Sequence, residues 1–414
     1  MNISDYLLSI SSKKIKYGLK RTKQLLNVCH NPHKKVYSIQ IVGTNGKGSV
    51  SALLSSMLSH GGYRVGLFSS PHLVRLNERI RINHQLIQDD IIKKFINTYK
   101  NEIKAIQPSF FELLTVISVW YFNKQKVDYC ILETGLGGKF DSVTACENQG
   151  IIFTPISMDH HSLLGNTLSL ISIDKSKAIN KNTQFIFSSN QPLVAKNILI
   201  KEAKTHNLNL IFSNTITTNI SLKNLYGLHQ MQNANLAQIV IDSLKKKNII
   251  NISPKNMKMG IENTVWHGRF QILNKKPLII FDVAHNQSSI DCFIKSFDDY
   301  IDKKKINKRY LLCAFERNKK IKTTLKKYGN KFHQIICSET NVRDSMPAKE
   351  IAIIFGNKNN IIIEKHINNA IQLSIKKLKE NDTLVIIGSH FLGPTINSLF
   401  KNCFALDHKR LLTY

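Results

Sequence analysis

A seven-residue stretch early in the chain has the residue types of a phosphate-binding loop. It reads G-T-N-G-K-G-S, follows an apolar run at residues 39–42 and precedes a helical pattern. Glycines allow close backbone approach and positive φ angles, so peptide N–H groups and a helix N-terminus can face an anion, while a lysine adds a point charge. We expect a nucleotide phosphate site here, with the lysine also acting in catalysis, at Gly43, Thr44, Asn45, Gly46, Lys47, Gly48 and Ser49.

The spelling of this phosphate loop differs from the common G-x-x-x-x-G-K-[ST] pattern. Gly48 follows the lysine directly, so the hydroxyl comes one position late, at Ser49. The context of strand, glycine-rich turn and helix is the one that a phosphate loop requires. A tight turn with a chance lysine is the structural alternative.

A glutamate and a glycine-rich run end another apolar stretch. Glu133 is the last residue of Tyr129–Glu133, and glycines follow within residues 135–138. Open α/β sheets bind ligands at the carboxyl ends of their strands, and Mg²⁺ prefers oxygen ligands. Glu133 could also cap a helix, but the glycines favour a metal ligand. His160 reads, on its chemistry alone, as a hydrogen-bonded core histidine, because imidazole is an unusual ligand for Mg²⁺.

Two residues further along the chain suit a nucleotide. Arg269 offers a planar guanidinium group that fits phosphate oxygens, and Asp282 ends an apolar run at residues 278–281. Asp282 would then meet the ribose or adenine side of the nucleotide. A role in an interdomain salt bridge is the alternative for both residues.

The elements that must position these residues are short apolar runs alternating with longer amphipathic ones. Strands are predicted at residues 37–42, 64–68, 129–133, 151–156 and 184–187, and helices at residues 48–58, 110–122, 170–179 and 193–205. This alternation predicts an α/β fold, with a mostly parallel sheet and helices on both faces.

The pattern restarts after Trp266. Runs at residues 278–281, 310–313, 335–337, 361–363 and 384–387 predict a smaller, open α/β (Rossmann-like) domain. We therefore expect a P-loop-type domain over residues 1–265 and a C-terminal domain over residues 266–414.

The bulk composition excludes several classes of protein. Lysine and arginine number 58 against 28 acidic residues, a net charge of +30. The lysines are spread along the chain without a nucleic-acid-binding motif, so we expect no specific nucleic-acid partner. The seven cysteines include no C-x-x-C pair, which favours a reducing compartment, the cytoplasm. No secretory signal and no run of about 18 apolar residues is visible, so we expect no membrane span.

Further motifs follow one another in order along the chain. They are S-P-H at residues 70–72, N-E-R at 77–79, E-T-G-L-G-G-K-F-D at 133–141, D-H at 159–160, D-K at 174–175, H-Q-M-Q-N-A at 229–234, G-R-F-Q at 268–271, D-V-A-H-N at 282–286 and G-S-H at 388–390. With the phosphate loop, this series resembles the Mur-type amide ligases, and among them the folylpolyglutamate synthases. The segment K-I-K-Y-G-L-K-R at residues 14–21 looks like that of the bifunctional bacterial type, which also acts as a dihydrofolate synthase.

The resemblance implies an ATP-dependent ligase that adds L-glutamate to dihydropteroate and to reduced folates. A carboxylate does not condense with an amine in water without activation, and ATP supplies it by forming an acyl phosphate. Positioning and charge neutralisation are then the main tasks of the enzyme. The family also implies two Mg²⁺ ions, and a monomer is the default because no oligomerisation motif is visible.

Individual roles are likewise implied by the resemblance. Lys175, rather than Lys177, falls on a catalytic lysine that can carry a carbamate, since a buried amine with a lowered pKa can add CO₂. The implied metal ligands are Ser70, Glu133 and His160, the last also catalytic. Asn233, Arg269 and Asp282 would contact the nucleotide. The implied substrate-binding residues are Ser109, Phe110, Phe111, Glu112, Phe140, Asp141, Ser142 and His285.

Four departures and two rivals qualify the resemblance. D-S-V-T at residues 141–144 replaces the family's D-A-T-N, N-K-K at residues 318–320 replaces D-K-D, and Lys16 replaces an acidic residue. His161 departs from the usual Thr or Met, which leaves open whether His160 or His161 points inward. Loss of one of the two activities is an alternative. A peptidoglycan-precursor Mur ligase is another, although only about 40 residues precede the loop, fewer than an extra N-terminal domain needs.

Overall fold

A computed structural model of the chain describes residues 18–213, 221–302, 304–317, 319–340, 342, 344–356, 360–401 and 403–404. Residues 14–17 of the N-terminal motif, including Lys16, and Asn318 lie outside the described residues. The chain divides into two compact units. The first comprises Met1–Leu222 and Gln230–Thr264, and the second comprises Lys223–His229 and Val265–Tyr414.

The first unit is built on an eight-stranded sheet. Its strands are β1 (Tyr37–Val42), β2 (Val65–Phe68), β3 (Ile80–Ile82), β4 (Gln85–Leu86), β5 (Tyr129–Glu133), β6 (Gly150–Phe153), β7 (Phe185–Ser189) and β8 (Leu210–Ser213). They lie in the order β4-β3-β2-β5-β1-β6-β7-β8. The antiparallel pairs are β2 with β3 and β3 with β4, and the other neighbours run parallel. The carboxyl ends of β1, β5 and β6 therefore meet at one edge, beside the phosphate loop.

Helices connect these strands. In chain order they are α1 (Lys20–Val28), α2 (Lys47–His60), α3 (Asp89–Thr98), α4 (Lys100–Ile106), α5 (Phe110–Lys124), α6 (His161–Leu164), α7 (Leu168–Ser176), α8 (Leu193–Thr205), α9 (Leu228–Lys246) and α10 (Pro254–Glu262).

Two apolar clusters cover the sheet of the first unit. One contains Phe95, Trp120 and Phe122 from α3 and α5, together with Phe68 of β2. The other contains Phe153 of β6 with residues of α7 and α8. Every residue of β5 and β6 is buried, as expected for parallel strands covered on both faces. These strands give the site a rigid floor.

The second unit is a six-stranded sheet. Its strands are β9 (Gln271–Lys275), β10 (Leu278–Asp282), β11 (Arg309–Cys313), β12 (Gln334–Cys337), β13 (Ile361–Ile363) and β14 (Thr383–Ile387), and its helices are α11 (Gln287–Ile301), α12 (Lys322–Tyr328), α13 (Ala348–Phe355), α14 (Ile367–Lys377) and α15 (Gly393–Leu399). The order is β13-β12-β11-β14-β10-β9. All pairs except β9 with β10 are parallel. The last strand therefore lies between β11 and β10.

The predicted α/β class is confirmed. The strand predicted at residues 151–156 is wrong at its end, because β6 stops at Phe153 and the next residue but one is Pro155, which has no N–H to donate. The short strands β3 and β4 and the partly exposed strands β8 and β9 were not predicted from the sequence. Within the described residues, none of the helices has the length and apolar character needed to cross a bilayer. All seven cysteines are free thiols.

Replacement of Phe122 by alanine tests the core of the first unit. Phe122 is fully buried, and a Cβ atom added to Gly66 would lie 2.6 Å from its Cγ, so the cavity has little means of closing. We expect Phe122→Ala to lower the free energy of unfolding by about 3–5 kcal/mol, measured by urea titration with circular dichroism. Leu193→Ala, at a side chain that is 72% exposed, should change it by less than about 0.5 kcal/mol. Equal losses would contradict this packing.

Candidate active site

The phosphate loop joins β1 to α2 in a conformation that only glycine permits at two positions. Gly43 lies against Thr154, whose Oγ1 would collide with an added Cβ atom. Gly46 has a φ of +85°, and an added Cβ atom there would lie 2.7 Å from Oδ1 of Asn233. The structure thus brings Asn233, predicted to contact the nucleotide, against the loop.

The first half of the loop is fastened to the chain that follows β6. The N–H groups of Thr44 and Asn45 donate to the carbonyl oxygen of Pro155 at 2.9 and 3.3 Å. Oγ1 of Thr44 donates to the oxygen of Ser157 and accepts from its N–H, both at 3.0 Å. These two loop N–H groups therefore already have acceptors within the protein.

Two lysine side chains meet at the loop. Nζ of Lys175 donates to the carbonyl oxygen of Gly43 at 2.8 Å, and Nζ of Lys47 donates to the same oxygen at 3.3 Å. Burial, followed by the positive charge of Lys47, lowers the pKa of Lys175 to about 7, although Asp174, Asp159 and Asp141 oppose this shift. Lys175 is therefore partly neutral at physiological pH, as an amine that adds CO₂ must be.

The glycine-rich run after β5 positions Lys175. Oδ1 of Asp174 accepts from the N–H of Gly138 at 2.8 Å, and the oxygen of Asp174 accepts from the N–H of Lys139 at 3.0 Å. Gly137, with a φ of +69°, lies against Asp174 where a Cβ atom would collide. Lys177 is exposed and pairs with Glu202 at 2.8 Å. Of the two lysines, Lys175 is the one at the loop.

Glu133 and Ser70, two of the predicted metal ligands, are neighbours. Oε2 of the buried Glu133 accepts a hydrogen bond from the N–H of Ser70 at 3.1 Å. Burial lowers the pKa of Arg79 to about 10, while the carboxylate of Glu133 acts in the opposite direction. Nε of Arg79 donates to Nδ1 of His72 at 2.8 Å. Burial, then the charge of Arg79, lowers the pKa of His72 to about 4, so this imidazole is neutral and accepts.

His160, the third predicted ligand, lies in the connection between β6 and α6. Its side chain is 45% exposed, with Nε2 at 3.9 Å from Oδ2 of Asp159, whereas Nδ1 of His161 is buried. Over the described part of the chain, no group of three or more His, Cys, Asp or Glu side chains has metal-holding geometry. Of the three predicted ligands, only Glu133 and His160 are of these four residue types. Their role in a metal site therefore stays a prediction.

The fit of the loop to a phosphate group rests on Ser49. Its hydroxyl is buried, and none of the described residues hydrogen-bonds to it. A buried hydroxyl without a partner is costly unless a ligand satisfies it. A phosphate oxygen or a hard cation would do so. The residues present therefore fit a nucleotide phosphate with its metal.

The residues predicted to contact the pterin are partly engaged with one another. Glu112 accepts from Nε of Arg21 at 3.1 Å and from the N–H of Ser109 at 2.6 Å. The guanidinium carbon of Arg79 lies 5.2 Å from the centre of the Phe110 ring. The ring of Phe111 approaches Gly135 so closely that a Cβ atom there would lie 2.6 Å away. These contacts place the start of α5 beside the glycine-rich run.

Asp141 and Ser142 are buried and hydrogen-bonded within the protein, whereas Phe140 is exposed. Asp141 accepts from the N–H groups of Leu136 and Val143 at 2.8 and 2.9 Å. Burial raises its pKa to about 6, against these bonds. The hydroxyl of Ser142 is 3.0 Å from that of Thr22. Phe140 is 47% exposed, so of these three side chains it is the one available to a ligand.

Arg269 and Asp282, the residues of the second unit that are predicted to contact the nucleotide, interact electrostatically. Oδ2 and Oδ1 of Asp282 accept from the N–H groups of Phe270 and Ala284 at 2.7 and 2.8 Å. Burial raises the pKa of Asp282 to about 6, and the charge of Arg269 is the largest opposing influence. Both residues belong to the second unit, and their contacts with the nucleotide stay a prediction.

The D-V-A-H-N and G-S-H motifs meet because β10 and β14 are neighbours. The rings of His285 and His390 have centroids 5.8 Å apart. Nδ1 of His285 donates to the oxygen of Val283 at 2.8 Å, while Asn286 caps α11 by accepting from the N–H of Ser289 at 2.9 Å.

Several residues that position the site were given no role by the sequence analysis. Thr154 and Ser157 hold the loop, Asp174 holds the glycine-rich run, and Arg79 lies beside Glu133. The position of Thr154 directly after an apolar strand was the available signal. Asp174 and Arg79 stood inside quoted motifs, but their partners are distant in sequence.

The chain is similar to known proteins both in sequence and in fold. The family model of the Mur ligase glutamate ligase domain covers residues 268–390. The dihydrofolate synthase/folylpolyglutamate synthase of Bacillus subtilis is 34% identical over 306 residues, which cover 67% of this chain and 71% of that one.

Two solved structures share the fold. The Mycobacterium tuberculosis folylpolyglutamate synthase complexed with ADP has a TM-score of 0.87 at 19% identity, covering 96% of this chain and 98% of its own. The bifunctional enzyme of Yersinia pestis complexed with AMPPNP and a manganese ion has a TM-score of 0.84 at 22% identity, covering 96% of each chain.

Replacement of Thr44 by valine tests the fastening of the loop. The change keeps the shape of the side chain but leaves the N–H and the oxygen of Ser157 without the Thr44 hydroxyl. We expect the free energy of unfolding to fall by about 1–3 kcal/mol, measured by urea titration. Thr205→Val is the matched control, because its exposed hydroxyl donates only within α8, to Glu202. A loss in the control as large as that in Thr44→Val would refute the role of Thr44.

Proposed function

The chain belongs to the dihydrofolate synthase/folylpolyglutamate synthase family and is an ATP-dependent ligase, and we propose that it adds L-glutamate to dihydropteroate and to reduced folates. The observation that carries this proposal is the pair of lysines on the carbonyl oxygen of Gly43, inside a glycine-rich loop at a helix N-terminus. The ammonium group of Lys47 and the N-terminus of α2 suit the phosphates of ATP, while the lowered pKa of Lys175 suits the uptake of CO₂.

The reaction proceeds in two steps. A carboxylate oxygen of the pterin-linked acid attacks the γ-phosphorus of ATP, which breaks the bond to the β–γ bridging oxygen and releases ADP. The amine of glutamate then attacks the acyl carbon of the resulting acyl phosphate. Phosphate leaves with the electron pair of the C–O bond, and the amine loses a proton.

Residues of the chain bind ATP and glutamate and neutralise the charge of the phosphates. Lys47 leaves the carbonyl oxygens of its own loop and follows the negative charge that moves onto the transferring phosphoryl group. The N–H groups of residues 46–49 face the phosphates. The hydroxyl of Ser49 donates a hydrogen bond to a phosphate oxygen or ligates the accompanying cation. Asn233, Arg269 and Asp282 contact the rest of the nucleotide, and His285 contacts glutamate.

Magnesium, which we propose at two positions, would supply charge neutralisation and a template for the phosphate oxygens. Ser70, Glu133 and His160 are the side chains that would hold it. The N-terminal unit binds ATP and the pterin, whose contacts come from residues 109–112 and 140–142, and the C-terminal unit binds glutamate. We further propose that the protein is a cytoplasmic monomer.

A coupled assay tests the function. Purified protein with ATP, magnesium and L-glutamate should release ADP in step with amide formation, given dihydropteroate or a reduced folate in parallel reactions. Lys47→Ala should lower kcat by about 10²–10³-fold, because it removes charge stabilisation in the transition state. Lys181→Ala, at an exposed lysine between α7 and β7, should leave kcat unchanged.

Each outcome of this assay has a distinct meaning. Turnover of one acceptor alone would mean that a single activity is retained. A peptidoglycan precursor as the only productive acceptor would replace the proposal with the Mur ligase alternative. Normal turnover by Lys47→Ala would overturn the assignment of the phosphate loop.

A carbamate on Lys175 is the second proposal that the lysine pair supports. Only the neutral amine adds CO₂, and a base with a pKa of about 7 becomes neutral above that pH. At a fixed partial pressure of ¹³CO₂, the carbamate signal in ¹³C NMR should therefore rise between pH 6 and pH 8. A lysine with an ordinary pKa of about 10.4 would need a far higher pH.

Matched variants identify the lysine. Lys175→Ala should abolish the signal, whereas Lys177→Ala, two positions away on an exposed side chain, should keep it. A signal that survives Lys175→Ala, or that is absent from the wild type at pH 8, would count against the carbamate.

A further inference from the structure

The strand order of the second sheet reverses at its carboxyl edge, a position where open α/β sheets form a crevice. The chain passes from β10 over one strand position to β11, continues to β12 and β13, and returns to place β14 in the gap. Asp282, Ile387 and Cys313 are level across these three strands. Such a reversal is where open α/β sheets bind ligands.

The loops after β14 and β11 approach each other closely at this crevice. Gly388 has a φ of +132°, and a Cβ atom there would collide with the carbonyl oxygen of Ala314. This contact sets the buried Ser389 beside Glu316, and the Ser389 hydroxyl donates to Oε1 of Glu316 at 2.8 Å. A β-bridge between Glu316 and Ser345 fixes the backbone on the other side.

Among the residues that the structure describes, no basic side chain neutralises the carboxylate of Glu316. In the described ranges, no lysine or arginine forms an ion pair with it, and the adjacent Arg317 is directed to Glu350 at 3.5 Å. A serine hydroxyl takes up one oxygen only. The acid therefore retains the capacity to bind a cationic group of a ligand.

The same crevice also carries groups suited to an anion. His285 and His390, at the ends of β10 and β14, have ring centroids 5.8 Å apart. A ligand that meets both the acid and the histidines needs a cationic and an anionic group, and an ammonium group with a carboxylate meets this need. An α-amino acid has this pattern, and residues 268–390 match the glutamate ligase domain.

We infer that Glu316 binds the α-ammonium group of the incoming amino acid and, with Ser389, positions that amine for its reaction. The inference rests on the proposed function and adds a specificity-determining residue to it. Glu316 precedes by two positions the N-K-K run at residues 318–320, where the family resemblance implies acidic residues. It thus supplies an acid in a segment where this chain lacks the expected ones.

Substitution of Glu316 by glutamine separates charge from structure. Glutamine keeps an oxygen to accept from Ser389 and loses only the negative charge. We expect Glu316→Gln to raise KM for L-glutamate by about tenfold to a hundredfold, with KM for ATP and for the pterin acceptor unchanged. Glu316→Asp, which keeps the charge on a shorter side chain, should recover part of the loss.

Glutarate, which is glutamate without its amine, gives a readout that a structural role would not move. In the wild type, the KM for glutamate should be lower than the inhibition constant for glutarate. In Glu316→Gln the KM for glutamate should rise while the inhibition constant for glutarate stays the same, so the preference is lost. Glu380→Gln is the control, since Glu380 is 69% exposed, pairs with Lys276 and precedes β14 at the opposite edge. It should behave as the wild type.

The outcomes distinguish this inference from the proposed function. Wild-type protein that releases no ADP with glutamate overturns the proposed function, and the inference with it. An active wild type whose Glu316→Gln variant still prefers glutamate over glutarate overturns the role of Glu316 alone. Parallel increases in KM for all three substrates would also overturn it, because they indicate a general structural defect.

Discussion

One carbonyl oxygen, that of Gly43, accepts hydrogen bonds from two lysine side chains. The repulsion between these ammonium groups adds to the cost of burying one of them, and it explains why Lys175 loses its proton readily. The arrangement requires a glycine against Thr154, an ordered run after β5 and a helix that places Lys175 at its end.

The two units use the same structural principle for different chemistry. In each, parallel strands end together at one edge, and glycines at that edge allow main-chain segments to approach more closely than a side chain would permit. In the first unit the edge collects lysines and suits phosphates. In the second it collects an acid and two histidines, which suits a zwitterion.

Much of the fold and the positions of most site residues could be predicted from the sequence. Apolar runs such as Tyr129–Glu133 were predicted to the residue because a buried parallel strand has few polar side chains. The strands β3 and β4 were missed because they have only three and two residues, too few to establish a period. Likewise, Glu112 could be singled out by its motif, but not its pairing with Arg21, which lies 91 positions away.

The placement of β14 has a consequence for synthesis of the chain. This strand lies between β11 and β10 and hydrogen-bonds to both, yet it is the last strand of the sheet in the sequence. Until residues 383–387 have emerged from the ribosome, β10 and β11 lack the partner that they share, and each has an unpaired inner edge. The approach of Gly388 to Ala314 and the hydrogen bond from Ser389 to Glu316 are therefore among the last contacts of the second unit to form.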